Sequence, residues 1–217
     1  MFKLRPGSLI ILDLDDTLYS EREFERSGFR AILDTLDVAH TVQLEDLLER
    51  SRQGQDVFDH LNFDEHLRQI ALAIYRQHNP TISLYPDAAL FIEQAAGAGC
   101  TLAIATEGRS VTQRNKISAL GISEKISHVL ISEEVGHLKI EPDFFRELLP
   151  EANQRTCVMI GDNPAKDFTF PNSQDWETYM LADRGNNVHS QDTVVSDGYA
   201  AQNVFHSFTE FAFADET

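Results

Sequence analysis

Five apolar runs, separated by helix-patterned segments, limit this chain more than any other feature. They occupy residues 8–12, 101–106, 128–132, 156–160 and 178–182, and none contains Asp, Glu, Lys or Arg. Short uncharged runs of this kind are the pattern of strands buried on both faces. Between them, residues 88–98, 110–120 and 142–149 carry helical periodicity. Gly99 and Gly121 stand where helix C-caps belong. Strands alternating with helices are βα units, and such units stack into a parallel sheet. The expected class is α/β, with five or six strands and helices on both faces.

One interval breaks the rhythm. Residues 19–85 hold no convincing strand, only polar helix-like stretches at 21–36, 43–50 and 64–78, with Pro80 and Pro86 at the exit. This reads as an all-helical insertion after the first strand. The chain of 217 residues is long enough to bury a core without disulfide or metal staples. Charge is the unusual quantity: 18 Lys and Arg against 35 Asp and Glu give −17. Such a surface repels phosphate backbones and anionic lipid, so neither nucleic acid nor membrane is an expected partner. An anion site in this chain must bring its own positive charge. Cys100 and Cys157 sit in apolar surroundings and read as buried thiols of a reducing compartment. No stretch approaches the ~18 apolar residues of a membrane span, and the first apolar run meets aspartates too soon for a cleaved signal. A cytoplasmic monomer or homodimer is the expectation, with a frayed end at 213–217.

In open parallel sheets, ligands bind at the carboxyl ends of the strands. Four polar clusters follow the first four runs: Asp13-Leu14-Asp15-Asp16-Thr17, Thr106-Glu107-Gly108-Arg109, Gly136-His137-Leu138-Lys139, and Gly161-Asp162-Asn163-Pro164-Ala165-Lys166-Asp167. Asp13 and Asp15, two apart on an extended exit, can face one side about 6–7 Å apart along the chain. One can attack while the other handles a proton. Asp16 should face away, as a structural partner. Buried carboxylates cost stability unless paired or metal-bound. Asp162 and Asp167 add carboxylates from another tip, a set that suits Mg²⁺. Gly161 would let backbone approach a ligand. Alternatively, Asp162 or Asn163 caps the next helix, with Pro164 as its first residue. Lys139 can supply the cation an anion needs. The Thr106 hydroxyl and the N–H groups of Glu107 and Gly108 could hold a phosphoryl oxygen, or Thr106 could cap a helix. The histidines show no ligand pair at helical spacing, so no zinc site is expected, and His137 reads as a surface residue. Trp176, Phe205, Phe208, Phe211 and Phe213 read as core. Arg22, Arg26, Arg52, Gln53 and Gln55 are the polar side chains in or beside the insertion that could select a substrate.

Taken in order, Asp13-x-Asp15-x-Thr17, Thr106, Lys139 and Gly161-Asp162-x₄-Asp167 resemble the four motifs of the haloacid dehalogenase (HAD) superfamily. The resemblance covers residues 8–20 and 86–185. It implies a Rossmann-like HAD core made of residues 1–18 and 86–217. Residues 19–85 resemble a helical C1-type cap. The resemblance also implies a Mg²⁺-dependent phosphatase acting through an aspartyl-phosphate. Asp13 would be the nucleophile, and Asp15 the acid and then the base. Thr106, Glu107, Gly108 and Lys139 would bind phosphate. Mg²⁺ would sit on the Asp13 side chain, the Asp15 carbonyl and Asp162, with Asp167 acting through water or steadying the shell. Thr17 would shape the turn on which the cap moves. Lys139 is followed by Ile140 where the family often has proline, although Pro142 keeps the later position. The implied substrate is a small phosphorylated metabolite, such as a sugar phosphate or nucleotide. A phosphosugar mutase shares Asp15 and the cap. A metal-independent dehalogenase would use Asp13 on carbon but has no need of Asp15. A non-catalytic phospho-ligand binding module is the alternative from another class, and the intact set of Asp13, Asp15, Lys139 and Asp162 speaks against it.

Overall fold

A computed structural model describes residues 1–39, 41–61, 63–192 and 198–213. Among the described residues there are eight strands: β1 (Phe2–Leu4), β2 (Leu9–Leu12), β3 (Thr101–Thr106), β4 (His128–Ile131), β5 (Cys157–Gly161), β6 (Glu177–Leu181), β7 (Asn203–Phe205) and β8 (Phe211–Phe213). Six of them form one sheet in the order β4-β3-β2-β5-β6-β7, with every pairing parallel. β2 is the pivot. The chain winds from it to β3 and β4 on one side, then returns to β5, β6 and β7 on the other. The reversal of strand order beside β2 opens a crevice at the strand tips.

Period-two alternation sorts the strand residues onto two cores. Ile10, Leu12, Ile104, Val158 and Ile160 pack on one face with Phe91 and Ile92. Leu9, Ile11, Ala103 and Met159 pack on the other with Phe144, Phe145 and Trp176. Phe205, Phe208 and Phe211 are buried as expected, and Phe213 packs against the first core from a partly buried position. Strands β1, β7 and β8 were not expected. Each is only three residues long, too short for a period to show, and β1 pairs with β8 apart from the main sheet. Residues 214–217 of the expected frayed end lie outside the described residues.

Among the described residues, four helices fill the interval after β2: α1 (Glu21–Thr35), α2 (Leu44–Arg52), α3 (Val57–His60) and α4 (Glu65–Gln77). Only the one-turn α3 was not foreseen; Asp56 caps it, and Asp64 caps α4. The insertion carries its own apolar cluster, including Phe29, Ile32, Leu33, Leu47, Leu48 and Val57. Gly28 lets α1 lie directly on the Tyr75 ring of α4, where any Cβ would collide. α5 (Pro86–Gly97) leads into β3, and α6 (Ser110–Ala119) leads out of it.

The expected helix at 142–149 is instead a 3₁₀ turn at Pro142–Phe145 and a short helix at Leu149–Ala152. A proline at 150 would clash with the carbonyl of residue 146 in a continuous helix, so the ladder breaks there. Cys157 is buried but Cys100 only partly so, and both are free thiols. Among the described residues, no helix is long and apolar enough to cross a membrane.

Candidate active site

The register of the central strands brings the carboxylates together. Leu12 lies opposite Ile160, so Asp13 leaves β2 beside Gly161, the last residue of β5. The Asp13 N–H still donates to Ile160 O at 2.9 Å, which sets its side chain at the tip between β2 and β5. The turn then tightens through Asp16, whose φ of 54° is left-handed, a conformation Asp tolerates better than most residues. Asp16 accepts from the N–H of Glu21 at 2.8 Å and from that of Val188 at 2.6 Å. Thr17 donates its hydroxyl to Asp13 Oδ2 at 3.1 Å.

Asp13, Asp162 and Asp167 form a buried triad whose carboxylate oxygens lie within 4.8 Å of one another. Lys139 Nζ donates to Asp13 Oδ1 at 2.6 Å and also to Asp167. Glycine at 161 is required here, because a Cβ would occupy the place of the Asp167 carboxylate. The close approach it permits is thus to a side chain of this chain. Burial pushes the Asp13 carboxyl up to about 7, with Asp167 adding to the effect and Lys139 opposing it. Burial, then Asp13, Asp167 and Asp16, push Asp162 up to about 9. Burial works against the Lys139 charge, but Asp13 and Asp167 outweigh it and hold the ammonium well above its ordinary value. One ammonium among three buried carboxylates leaves a deficit of positive charge.

Asp15 is held differently. Lys116 Nζ lies 2.7 Å from its Oδ1, Gln113 Nε2 donates to its Oδ2 at 2.8 Å, and the Tyr19 hydroxyl donates to Oδ1. Burial raises the Asp15 carboxyl, but Lys116 and these hydrogen bonds prevail and hold it below the usual range. Gln113 Nε2 also donates to Thr106 Oγ1 at 2.6 Å. Thr106 therefore caps nothing: α6 starts at Ser110, and its N-cap is Arg109. The Gly108 N–H is turned aside, to Ser132 Oγ at 2.9 Å. Glu107 accepts the Lys139 N–H at 3.0 Å and pairs with Lys166 at 3.1 Å. Asp162 and Asn163 cap no helix either. Asn163 Oδ1 closes a turn on the Ala165 N–H, and the next helix starts at Thr169.

These groups enclose a cavity of about 90 Å³, lined by Asp13, Asp15, Asp16, Glu21, Thr106, Glu107, Lys139, Asp162, Asn163, Lys166 and His189. At ~30 Å³ per water, that is room for a phosphoryl-sized group. Burial and the charge of Asp15 push Glu21 up to about 8. A larger groove of about 490 Å³ is lined by α1 and by residues of the segment 78–83, and it shares no lining residue with this cavity.

Residues 8–171 match the haloacid dehalogenase-like hydrolase family. The chain belongs to that family. Over 109 residues it is 38% identical to a phosphoserine phosphatase of Thermus thermophilus. That match takes in 48% of this chain and 42% of the relative, so the chain spans less than half of that relative's length. The HAD-hydrolase YfnB of Bacillus subtilis superposes with a TM-score of 0.67 at 14% identity, over 95% of this chain and 97% of its own. A 2-haloacid dehalogenase of Pseudomonas syringae does so with 0.62 at 19%, over 97% and 96%. CbbY of Rhodobacter sphaeroides, in complex with phosphate, gives 0.58 at 18%, over 94% and 96%. Likeness at such identities speaks for the fold alone.

In this HAD hydrolase, the residues foreseen from sequence divide unevenly. Asp13, Asp15, Thr106, Glu107, Lys139 and Asp162 meet at one cavity, and Asp167 stands behind it; Gly108 stays outside its lining. His137 lies with Glu141 and Asp143 instead. Arg22 bonds to Glu25 and Ser51, Arg26 to Glu45, Arg52 and Gln53 to Glu49, and Gln55 to Arg50 and Gln53. None of these five lines the cavity. The reading missed Tyr19, Glu21, Gln113, Lys116 and the loop after β6. In that loop Asn187 donates to Asp162 Oδ2 at 2.8 Å, Gln191 donates to Asp162 O, and His189 faces the cavity. One signal was visible there: Asp183 before Gly185-Asn186-Asn187 is a turn former, and its carboxylate accepts the three N–H groups of those residues.

Proposed function

We propose that this HAD hydrolase is a phosphatase that cleaves a small phosphate monoester through a phosphoryl group carried on Asp13. The observation that carries the reading is the pairing of two unlike carboxylates. Asp13 sits in the triad beside the Lys139 ammonium, and Asp15 stands across a phosphoryl-sized cavity with its charge secured by separate donors. The likeness to a phosphatase of Thermus thermophilus supports it. A dehalogenase of the same fold has no use for a proton carrier at position 15, and here three side chains are devoted to that residue.

Asp13 attacks phosphorus; the Asp13 oxygen–phosphorus bond forms as the bond to the leaving oxygen breaks. Lys139 offsets charge on the phosphoryl oxygens, and Thr106 borders the same cavity. A phosphate dianion beside Asp15 adds like charge and raises its proton affinity. The same carboxyl then carries the proton that the leaving oxygen takes up. In the second half, Asp15 accepts a proton from water, whose oxygen displaces Asp13 from phosphorus.

The triad fits Mg²⁺: its donors are hard oxygens, it is buried, and it lacks positive charge. Asp13, Asp162 and the Asp15 carbonyl would hold the ion, with Asp167 fixed behind them by Lys139 and by the Asn163 N–H. When bound, the ion supplies further positive charge for the phosphoryl oxygens. Residues 19–85 form a cap over the site, and a cavity of about 90 Å³ favours a small leaving group while that cap is closed. A phosphate-release screen over small phosphate esters, with Mg²⁺ and with EDTA, tests the proposal. Turnover that needs Mg²⁺ is expected; full turnover in EDTA would overturn the Mg²⁺ assignment, and none in either condition would favour the dehalogenase or the binding module.

A further inference from the structure

α6 carries four polar side chains that point two ways. Gln113 and Lys116, one turn apart, reach into the site and hold opposite oxygens of Asp15 at 2.8 and 2.7 Å. Thr112 and Asn115, also one turn apart, reach toward the inserted helices. Thr112 Oγ1 donates to Arg76 O at 2.9 Å, and Asn115 Nδ2 to Gln77 O at 3.0 Å and His78 O at 3.2 Å. Those carbonyls close α4, where a helix has no backbone donors left to offer, so α6 completes α4 from outside. The Lys116 ammonium meets the insertion as well, lying 4.2 Å from the centre of the Phe24 ring on α1. Both Gln113 and Lys116 are buried. A buried lysine and a buried amide at i, i+3 thus converge on one carboxylate, the amide also donating to Thr106 Oγ1 at 2.6 Å.

We propose that Gln113 and Lys116 are positioning residues for Asp15, and that α6 makes their grip depend on the inserted helices being docked. The proposal rests on the phosphatase reading above and concerns its hydrolytic half. There, the water oxygen bonds to phosphorus and the bond from phosphorus to Asp13 breaks, its electron pair returning to the Asp13 carboxylate. The water proton goes to Asp15. Gln113 and Lys116 form and break no bond to phosphorus or to the water; they fix where the Asp15 oxygens stand. Thr112 and Asn115 act one step further out, by keeping α6 and α4 in register. Asp15 is then correctly aimed only when α1 and α4 lie against α6.

The full-length chain tests this with p-nitrophenyl phosphate, whose leaving group needs little help from an acid, so that dephosphorylation is the exposed step. Gln113→Met and Lys116→Met should lower kcat by about 10- to 100-fold, the cost of a misplaced catalytic group, with KM within about threefold of wild type. Acid-quenched intact mass should show a larger fraction of these proteins carrying one phosphoryl group. The Thr112→Val, Asn115→Ala double variant should shift both readouts the same way, by about fivefold, although neither residue touches Asp15. Arg114→Ala, on the same helix but paired with Glu134, should leave both unchanged. If Lys116→Met does not fold, Gln113→Met decides alone, since it keeps the ion pair. An unchanged kcat, or a raised KM without phosphoenzyme accumulation, in a folded variant overturns the proposal while leaving the phosphatase reading intact. No wild-type turnover on any phosphate ester overturns both.

Discussion

Asp13 and Asp15 stand two residues apart, yet different parts of the molecule hold them. Asp13 belongs to the sheet. Its backbone is still bonded to β5, its carboxylate meets Lys139, and Thr17 braces it from the same turn. Asp15 belongs to a joint. Its donors come from α6 and Tyr19, and the lysine among them rests on a ring from the insertion. In the proposed reaction, the nucleophile is therefore placed by strand register and its own turn, while the proton carrier is placed by the packing of helices. A site divided this way would keep the proposed attacking group ready while the proposed acid and base follows the inserted helices.

The largest effect expected from this division is on chemistry. Asp13→Asn should abolish turnover, by at least about 10⁴-fold, because an amide is a poor nucleophile. Asp15→Asn should cost about 10²–10⁴-fold and trap a phosphoryl group on Asp13 when the leaving group is a nitrophenolate. Intact mass after acid quench separates them: one added phosphoryl group on Asp15→Asn, none on Asp13→Asn. Equal labelling of the two would erase the distinction between nucleophile and proton carrier.

A smaller effect should show in stability. Ile32 is fully buried in the cluster of the insertion, away from the two cores of the sheet. Ile32→Ala should cost about 2–5 kcal/mol by transfer and cavity terms. If residues 19–85 open as a unit, hydrogen exchange should quicken across α1, α2 and α4 while β2, β3 and β5 keep their protection. Uniform quickening would mean that the two regions unfold as one, and that the proposed domain division has no energetic meaning.

Next comes the charge deficit of the triad. A cation held at 100 times its Kd stabilises a fold by about 2.7 kcal/mol. Mg²⁺ at that excess should raise the melting temperature of the wild type by roughly 5–11 °C and should do nothing for Asp162→Asn. Without metal, Asp162→Asn should melt above the wild type, because it removes one of the crowded buried carboxylates. A metal-free variant that melts lower would show that the Asn187 bond to Asp162 outweighs the repulsion.

The same division decides what could be read from the sequence. Residues placed by strand register were legible, because an apolar run states where a strand ends and the next residues are then at the tip. Asp13, Asp15, Thr106, Asp162 and Asp167 were placed at the tips on that ground, and Lys139 on the same ground together with the need of an anion site for a cation. Residues placed by packing were not. Lys116 looks like any helix-surface lysine until the insertion covers it, and Gln113 like any solvated amide. Their burial is a tertiary fact with no local pattern. The short edge strands escaped for a related reason: Asn203–Phe205 is too brief to display alternation. Pro150 did carry the signal that broke the expected helix at 142–149, through its clash with the preceding turn.

The smallest predicted effect probes the seam where the insertion returns to the core. Asp87, in the first turn of α5, takes both Arg184 nitrogens at 3.1 and 2.6 Å, the Ser207 hydroxyl at 2.9 Å and the Phe208 N–H at 2.9 Å. The Arg184 guanidinium also lies 4.3 Å from the centre of the Tyr85 ring, at the end of the linker from α4. Burial alone would raise the Asp87 carboxyl, but Arg184 and then the other donors outweigh it and hold it at about 2. The unfolded chain's Asp titrates near 4. An acid depressed on folding contributes stability above its unfolded pKa and loses it as pH falls through the folded value. Asp87→Asn should therefore cost about 1 kcal/mol at pH 7, a fall of roughly 2–4 °C in Tm. The gap from wild type should hold down to about pH 5 and narrow between pH 4 and pH 2, as the wild type loses its charge and the variant has none to lose. Urea midpoints at pH 7, 5 and 3 check the sign. A gap that stays constant to pH 3 would place the contribution in the neutral hydrogen bonds to Ser207 and Phe208, and the seam would be indifferent to charge.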